Sequence, residues 1–279
     1  MSAPSPLAEP LAWDLVANGY AEINFDSFAA FAADALALAK LRDGERLIDV
    51  ACGPGSLTIQ AARSASFVAA LDFSELMLKE LEVRVGQAGL SNVEVRHGDG
   101  QALPYAEGQF DLACSMFGLM FFPDRARGFS ELHRVLRPGG RAVVSSWHPM
   151  STVPVMADLF SALAAELPQL PFGDGKGPLI DPEDLRREMS AAGFQVQVES
   201  RRHGFVAPSS EVLVSSLLRS MAPLVLLEHR LGKEAFAPVV EGLRRRLGEA
   251  HPGPVEVKMS AWLALGTKPN QAFSGPDAP

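Results

Sequence analysis

Apolar residues along the chain follow two spacings, and each spacing predicts one kind of element. Short apolar runs of the strand type occur at 46–50, 67–71, 93–96, 110–115 and 141–147. Stretches with apolar residues at helical spacing lie before and between them, at 28–40, 56–63, 74–86 and 123–136. Strands that alternate with helices favour a parallel sheet with both faces covered, so we predict a doubly wound α/β fold.

The alternation ends after Trp147. A Pro- and Gly-rich stretch is followed by a helix, a strand, a mostly helical segment and a last strand, at 149–182, 183–192, 194–199, 209–249 and 255–266. We expect one domain over 11–268, with insertions at about 149–182 and 203–252. These would form a cap over the carboxyl ends of the strands, the edge at which an open parallel sheet binds ligands (the ligand edge). The ends, 1–10 and 269–279, lack periodicity and are predicted to be disordered tails.

The first predicted strand runs into a turn rich in small residues. Asp49 ends the strand, and Ala51, Gly53 and Gly55 follow it in the stretch LIDVACGPGSL (47–57). Missing side chains let a ligand lie against the backbone and against the start of the next helix. A turn of this kind is also often just a tight connection, so it does not by itself establish a ligand site.

Three further places at strand ends carry polar residues. Asp72 ends the second strand, from where a carboxylate can accept both ribose hydroxyls. Asp99 follows the third strand and can accept a hydrogen bond from an exocyclic amine, and Ser115 ends the fourth. Taken singly, Asp72 could cap the helix that begins at Ser74, and Asp99 could be a turn residue. Their order and spacing together predict a site for an adenosine with a short charged group beyond it.

A dinucleotide-binding GxGxxG turn is the main competing interpretation. Counted from Gly53 and Gly55, the third glycine position holds Thr58, whose branched side chain opposes the close helix packing of that motif. A nicotinamide-dependent dehydrogenase is therefore the less favoured alternative.

Charge and cysteine content narrow the class. The 25 basic and 33 acidic residues give a net charge of −8, which disfavours a nucleic acid as partner. Cys52 and Cys114 have neither zinc-ligand nor CxxC spacing, so we expect no metal site and a reducing cytoplasm. The longest apolar stretch, 112–122, is too short to cross a bilayer. Nothing in the sequence fixes the oligomeric state.

The chain resembles the class I S-adenosylmethionine (SAM)-dependent methyltransferases, most closely their small-molecule branch of the ubiquinone/menaquinone-biosynthesis (methyltransferase type 11) kind. The stretches that carry the resemblance are DVACGPGSLT (49–58), ALDFSELML (70–78), GDGQALPYAEGQFDLACSMFGLMFFPD (98–124) and ELHRVLRPGGRAVVSSW (131–147). The resemblance implies a Rossmann-like, mostly parallel seven-stranded sheet with an antiparallel last strand and a mostly helical cap. It also implies methyl transfer from SAM, which leaves S-adenosylhomocysteine (SAH), to an O, N or C atom of a small, partly apolar metabolite.

The resemblance further implies a role for each matching residue. The methionine portion would be surrounded by Asp49, Ala51, Gly53 and Gly55, and the ribose would be held by Asp72. The adenine would lie among Phe73, Met77, Asp99, Gly100 and Gln101, and Ser115 would close the site. Ala51 stands where the family pattern prefers glycine, a difference of one methyl group.

Two residues outside these motifs are candidates for other roles. His148 leaves the fifth strand where ligands are expected to bind and is the best candidate for a general base among the histidines, although an ordinary loop histidine is the simpler interpretation. Tyr20 precedes the core and could fold over the cofactor, as N-terminal helices do in similar enzymes, or simply pack. A catalytically silent SAM-binding regulator remains an alternative to an enzyme.

Overall fold

A computed structural model describes residues 5–167 and 177–270. The strands are β1 Arg46–Val50, β2 Phe67–Asp72, β3 Val93–His97, β4 Phe110–Ser115, β5 Leu136–Trp147, β6 Gln195–Ala207 and β7 Val255–Thr267. The helices are α1 Pro10–Ile23, α2 Phe25–Ala39, α3 Thr58–Ala61, α4 Glu75–Gln87, α5 Arg125–Val135, α6 Pro154–Glu166, α7 Pro182–Ala191, α8 Ser210–Ser220, α9 Ala222–Leu231 and α10 Lys233–Ala250.

The strands form one seven-stranded sheet in the order β3-β2-β1-β4-β5-β7-β6. The first five strands are parallel, and β7 runs antiparallel to both β5 and β6. Strand order reverses at β1 and β4, and an open parallel sheet binds ligands at such a switch point. The predicted fold class, including the antiparallel last strand, is confirmed.

Helix ends follow the chemistry of their capping residues. Ser74, the first residue of the predicted helix 74–86, caps α4 by accepting a hydrogen bond from the Met77 N–H at 3.1 Å. The next large helix, α5, begins two residues later than predicted because Asp124 caps it through the Arg127 N–H at 3.0 Å.

Two helices lie in stretches that the sequence indicated as irregular. The predicted tail 1–10 is wrong for residues 5–10: Pro6–Ala8 form a short 3-10 turn, Pro10 opens α1, and the Trp13 indole donates to the Leu7 carbonyl at 2.9 Å. Within the Pro- and Gly-rich stretch, Pro154 opens α6. Proline fits the first turn of a helix, where its missing N–H is not needed. Residues 1–4, 168–176 and 271–279 lie outside the described residues.

The insertions build an apolar core of their own. In this core, side chains of α6, α8, α9 and α10 pack with the extended ends of β6 and β7. The fully buried residues of the core include Leu159, Val214, Leu243 and Leu247. We call this unit the cap.

Helix α1 joins the cap to the sheet. Asp14 of α1 accepts a hydrogen bond from the hydroxyl of Ser74, the N-cap of α4, at 2.5 Å. Arg84 of α4 donates to the Ala21 carbonyl of α1 at 2.6 Å. On the other side, Glu22 pairs with Arg219 of α8. A methyl group on Gly19 would lie 2.1 Å from the Arg219 carbonyl oxygen, so only glycine permits this crossing.

Among the described helices, none has by itself the length and apolarity needed to span a membrane. Helices α8 and α9 are long and apolar enough only when they are taken together, and the pair is bent by 74°.

Candidate functional site

The turn after β1 is built from left-handed backbone. Ala51, Gly53 and Gly55 have φ angles of 56°, 52° and 90°. A methyl group on Gly55 would lie 2.3 Å from Leu81 Cδ1, so glycine is required there for both conformation and space. The turn therefore lies tight against α4 and presents backbone toward the ligand edge.

Ala51 adopts this strained conformation and also contacts the loop after β4. A methyl group added to Gly118 would lie 2.3 Å from the Ala51 Cβ. The two loops thus fit together as alanine against glycine, and the extra methyl at Ala51 is accommodated by the missing one at Gly118.

Asp72 fixes the shape of the site from the end of β2. Its Oδ2 accepts from the Gly53 N–H at 2.8 Å, and its Oδ1 accepts from the Ser74 N–H at 2.9 Å. Burial raises the pKa of this carboxyl to about 6, although the backbone N–H groups act in the opposite direction. A carboxylate oxygen has more than one lone pair, so both oxygens can still accept from ligand hydroxyls.

Asp49 lies beneath the turn. Its Oδ2 accepts from the Thr58 hydroxyl at 2.6 Å, whereas its Oδ1 is buried and has no hydrogen-bond partner among the described residues. Burial is the main cause that raises the pKa of Asp49 to about 7; the bond from Thr58 lowers it and the charge of Asp72 adds to the rise. An orphaned buried carboxyl oxygen at a cofactor turn suits a ligand with positive charge.

The loop after β3 is held by its own side chains. Asp99 Oδ1 accepts from the backbone N–H of Gln101 at 2.8 Å and from its amide at 3.0 Å. Gln101 in turn accepts from the Asp124 N–H at 2.8 Å, at the start of α5. Gly100 packs against Phe122, where an added methyl would be 2.4 Å from the ring. These contacts hold Asp99 at the cavity wall.

The end of β4 is the second strained place. Ser115 is fully buried and its hydroxyl accepts from the Leu119 N–H at 3.2 Å. Phe117 has a φ of 60°, donates its N–H to the Ser145 hydroxyl at 2.8 Å, and stacks on Trp147 with centroids 3.8 Å apart. Strained backbone that is held in place by several neighbouring contacts is found most often at ligand sites.

These loops enclose a cavity of about 310 Å³ at the carboxyl ends of the strands. Its wall includes most of the predicted cofactor residues, namely Tyr20, Ala51, Gly53, Asp72, Phe73, Met77, Asp99, Gly100 and Gln101. Asp49, Gly55 and Ser115 do not line it and support the loops from behind. The structure thus brings the predicted residues together, while the contact assigned to each stays a prediction.

Several wall residues were not singled out from the sequence. Ala8 and Trp13 come from the N-terminal segment, and Phe121, Phe122 and Pro123 follow the fourth strand. The latter three lie in the stretch 98–124 that resembles the family, and this resemblance could have marked them as site residues. The N-terminal pair carries no pattern that marks it.

His148 does not lie at this cavity. Its imidazole stacks on Trp262 at 3.8 Å, and its Nε2 is 3.1 Å from the Ser200 hydroxyl. Burial, with the nearby charge of Arg202, lowers the pKa of His148. Its role as a general base remains a prediction that the geometry does not support. Among the described residues, no group of three potential metal ligands occurs.

Comparison with known proteins agrees with this arrangement. The family described as methyltransferase domain matches residues 48–144, which run from β1 into β5. An uncharacterized protein of Mycobacterium tuberculosis is 33% identical over 154 residues, 55% of either chain. A demethylmenaquinone methyltransferase of Alkalihalophilus pseudofirmus is 34% identical over 141 residues, 50% of this chain and 59% of that enzyme. The chain thus spans less than two thirds of the length of these curated relatives.

A solved structure shares the fold. The putative methyltransferase of Bacillus halodurans superposes with a TM-score of 0.57 at 20% identity, over 86% of this chain and 99% of the other. Residues 48–144 thus match the methyltransferase domain family, and the chain as a whole shares the fold of a solved methyltransferase-like structure.

Proposed function

We propose that the protein transfers the methyl group of SAM to an O, N or C atom of a small, partly apolar metabolite. The observation that carries this proposal is the cavity in which the strained turn after β1, Asp72 and Asp99 meet an apolar wall. A catalytically silent regulator would need the residues that hold SAM, but it would need no room for an acceptor beside the cofactor.

The residues present fit the cofactor. Asp72 is held by two backbone N–H groups so that it faces the cavity, where it would accept the ribose hydroxyls. Asp99, held by Gln101, would accept from the adenine amino group, and Phe73 and Met77 would flank the ring. The orphaned Asp49 oxygen lies behind the turn that would take the positively charged methionine portion.

When bound, SAM supplies an electrophilic methyl carbon and a good leaving group. The protein then has to orient the acceptor and to exclude water. Met116, Phe117 and Phe121 give the cavity an apolar wall, and Trp147 holds the Phe117 ring from behind. His148 would act as a base only on an acceptor placed outside the described cavity, so we assign it no step.

The acceptor is proposed to be a small molecule rather than a nucleic acid, because the net charge is −8. Both cysteines are buried free thiols, which fits our inference of a reducing, cytoplasmic setting.

Transfer of labelled methyl groups tests the proposal. We expect a screen of small apolar amines, phenols and carbon acids with methyl-labelled SAM to give a labelled product together with SAH. Tight SAM binding with no labelled product in a broad screen would favour the silent regulator. Binding of a nicotinamide nucleotide in place of SAM would overturn the proposal.

A further inference from the structure

Aromatic rings of the N-terminal helix border the cavity. Trp13 lies between Tyr20 and Phe121, with ring centroids 6.3 Å and 5.2 Å away, and all three residues line the wall. The planes of these pairs are inclined by 77° and 57°, so the ring faces point in different directions instead of stacking. Such a face attracts a cation that lies within about 6 Å of its centroid.

The charges on the wall have one sign. Its ionisable side chains, among the described residues, are Tyr20, Asp72 and Asp99. Burial, together with the nearby Asp72, raises the pKa of the Tyr20 hydroxyl, which therefore stays neutral. Both carboxylates already accept backbone N–H groups and hold the loops in place. The described wall thus combines aromatic faces with carboxylates and offers no basic side chain.

We propose that the acceptor atom is the nitrogen of an amine carried on an apolar body. This inference rests on the proposed methyl transfer and narrows it to one substrate class. A neutral amine attacks with its own lone pair: the N–C bond forms, the S–C bond breaks, and the S–C electron pair stays on sulfur as the thioether of SAH. An amine that arrives as its ammonium ion first releases that proton to water, and the methylated product is again an ammonium ion, which loses its proton to water after release, so no protein base takes part.

The wall favours this chemistry over the alternatives. Positive charge develops on nitrogen beside the rings of Trp13, Tyr20 and Phe121, which stabilise it, and the two carboxylates add to the effect. A carboxylate acceptor would enter as an anion beside Asp72 and Asp99, and a phenol would react as a phenolate anion, whose charge the same two carboxylates disfavour.

Binding of probes to the complex of the protein with SAH tests the acceptor subsite alone. The sulfur of SAH is uncharged, so the positive sulfonium of SAM does not affect the result. The complex is titrated by calorimetry with benzyltrimethylammonium, with its uncharged analogue neopentylbenzene, and with phenylacetate. We expect the cation to bind about 3- to 30-fold more tightly than the uncharged analogue, and phenylacetate to bind least well. Equal affinities, or a preference for the anion, would overturn the inference.

Ring-removing variants test the source of the preference. Trp13→Leu removes one aromatic face, and the ratio of cation to neutral affinity is expected to fall about 3-fold or more, whereas Trp13→Phe retains most of it. The ratio is insensitive to general loosening, because both probes have the same shape. If Trp13→Leu does not fold, Phe121→Leu provides the same comparison; an unchanged ratio in the folded variant contradicts the proposal.

Turnover separates this inference from the proposed function. With methyl-labelled SAM, N-methylphenethylamine is expected to be labelled, while 4-ethylphenol and 3-phenylpropionate are not. SAM binding with labelling of the phenol alone overturns the amine assignment and leaves methyl transfer standing. Failure to bind SAM overturns the proposed function itself.

Discussion

At the residue scale, two non-glycine residues beside the cavity hold a left-handed backbone. Ala51 and Phe117 have φ angles of 56° and 60°, and each is held by neighbours: Ala51 by the Gly118 backbone, Phe117 by Ser145 and Trp147. An alanine in this region costs roughly 1–2 kcal/mol relative to glycine. The methyl of Ala51 is nevertheless used, because it fills the space left by Gly118.

The fit of Ala51 against Gly118 predicts coupled effects. Gly118→Ala places two methyl carbons at an impossible distance, and we expect it to lower the free energy of unfolding by about 1–3 kcal/mol. In an Ala51→Gly background, the same change meets only contacts of 3.4 Å and 3.5 Å and is expected to cost much less. Urea unfolding of the four proteins gives the coupling, and an additive result contradicts the fit.

Asp49 predicts a pH dependence of stability and of cofactor binding. Because the pKa of this acid is raised to about 7 in the folded protein, the folded state holds more protons than the unfolded chain. Stability of the empty protein is therefore expected to fall as the pH rises from about 4 to about 7. Asp72, with a pKa raised to about 6, acts in the same direction.

Affinity for SAM is expected to change in the opposite way. The ionised Asp49 attracts the positive charge of SAM, so affinity should rise between about pH 6 and pH 8. Calorimetry over this range with the wild type and with Asp49→Asn checks it. The variant should give a flatter profile; identical profiles would remove Asp49 as the cause.

At the element scale, α1 determines how the cavity is closed. It contributes Trp13 and Tyr20 to the wall and connects α4 with the cap through Asp14 and Glu22. The hydroxyl that binds Asp14 belongs to Ser74, which also caps α4. One serine therefore joins the N-terminal segment to the helix that follows Asp72.

Loss of the Asp14 contact is expected to loosen α1 without unfolding the sheet. Asp14→Ala should weaken docking of α1 by about 1 kcal/mol and raise the Kd for SAM about 5-fold. Hydrogen exchange should become faster in 10–23 and stay unchanged in β1 and β4. The exposed Glu9→Ala removes a carboxylate from the same segment and is the matched control; equal effects of both variants would exclude a specific role for Asp14.

The sequence predicted the sheet better than its surroundings, for a physical reason. Strands such as β1 and β4 are buried on both faces, so their apolar runs are visible along the chain. Helix α1 is rich in alanine and packs through small residues against parts of the chain far away in sequence, including Met77 and Leu226. A pattern of alanine and glycine does not reveal such partners, so the wall residue Trp13 was missed.

At the scale of the whole molecule, the apolar core of the sheet and that of the cap have different tasks. The core around the sheet holds the loops that form the cofactor wall, and the cap has its own core of α6, α8, α9 and α10. Helix α1 packs between them. We therefore expect changes of acceptor preference to arise from the N-terminal helix and cap, and changes of cofactor affinity from the strand ends.

Calorimetric titration of the wild type and of Asp72→Ala with SAM tests the central claim most directly. The variant removes the carboxylate that accepts the Gly53 and Ser74 N–H groups and faces the cavity. We expect the wild type to bind SAM with a Kd of about 1–100 μM and the variant to bind about 10- to 100-fold more weakly. No heat with SAM in the wild type, or the same affinity in both proteins, would contradict a SAM site built around Asp72.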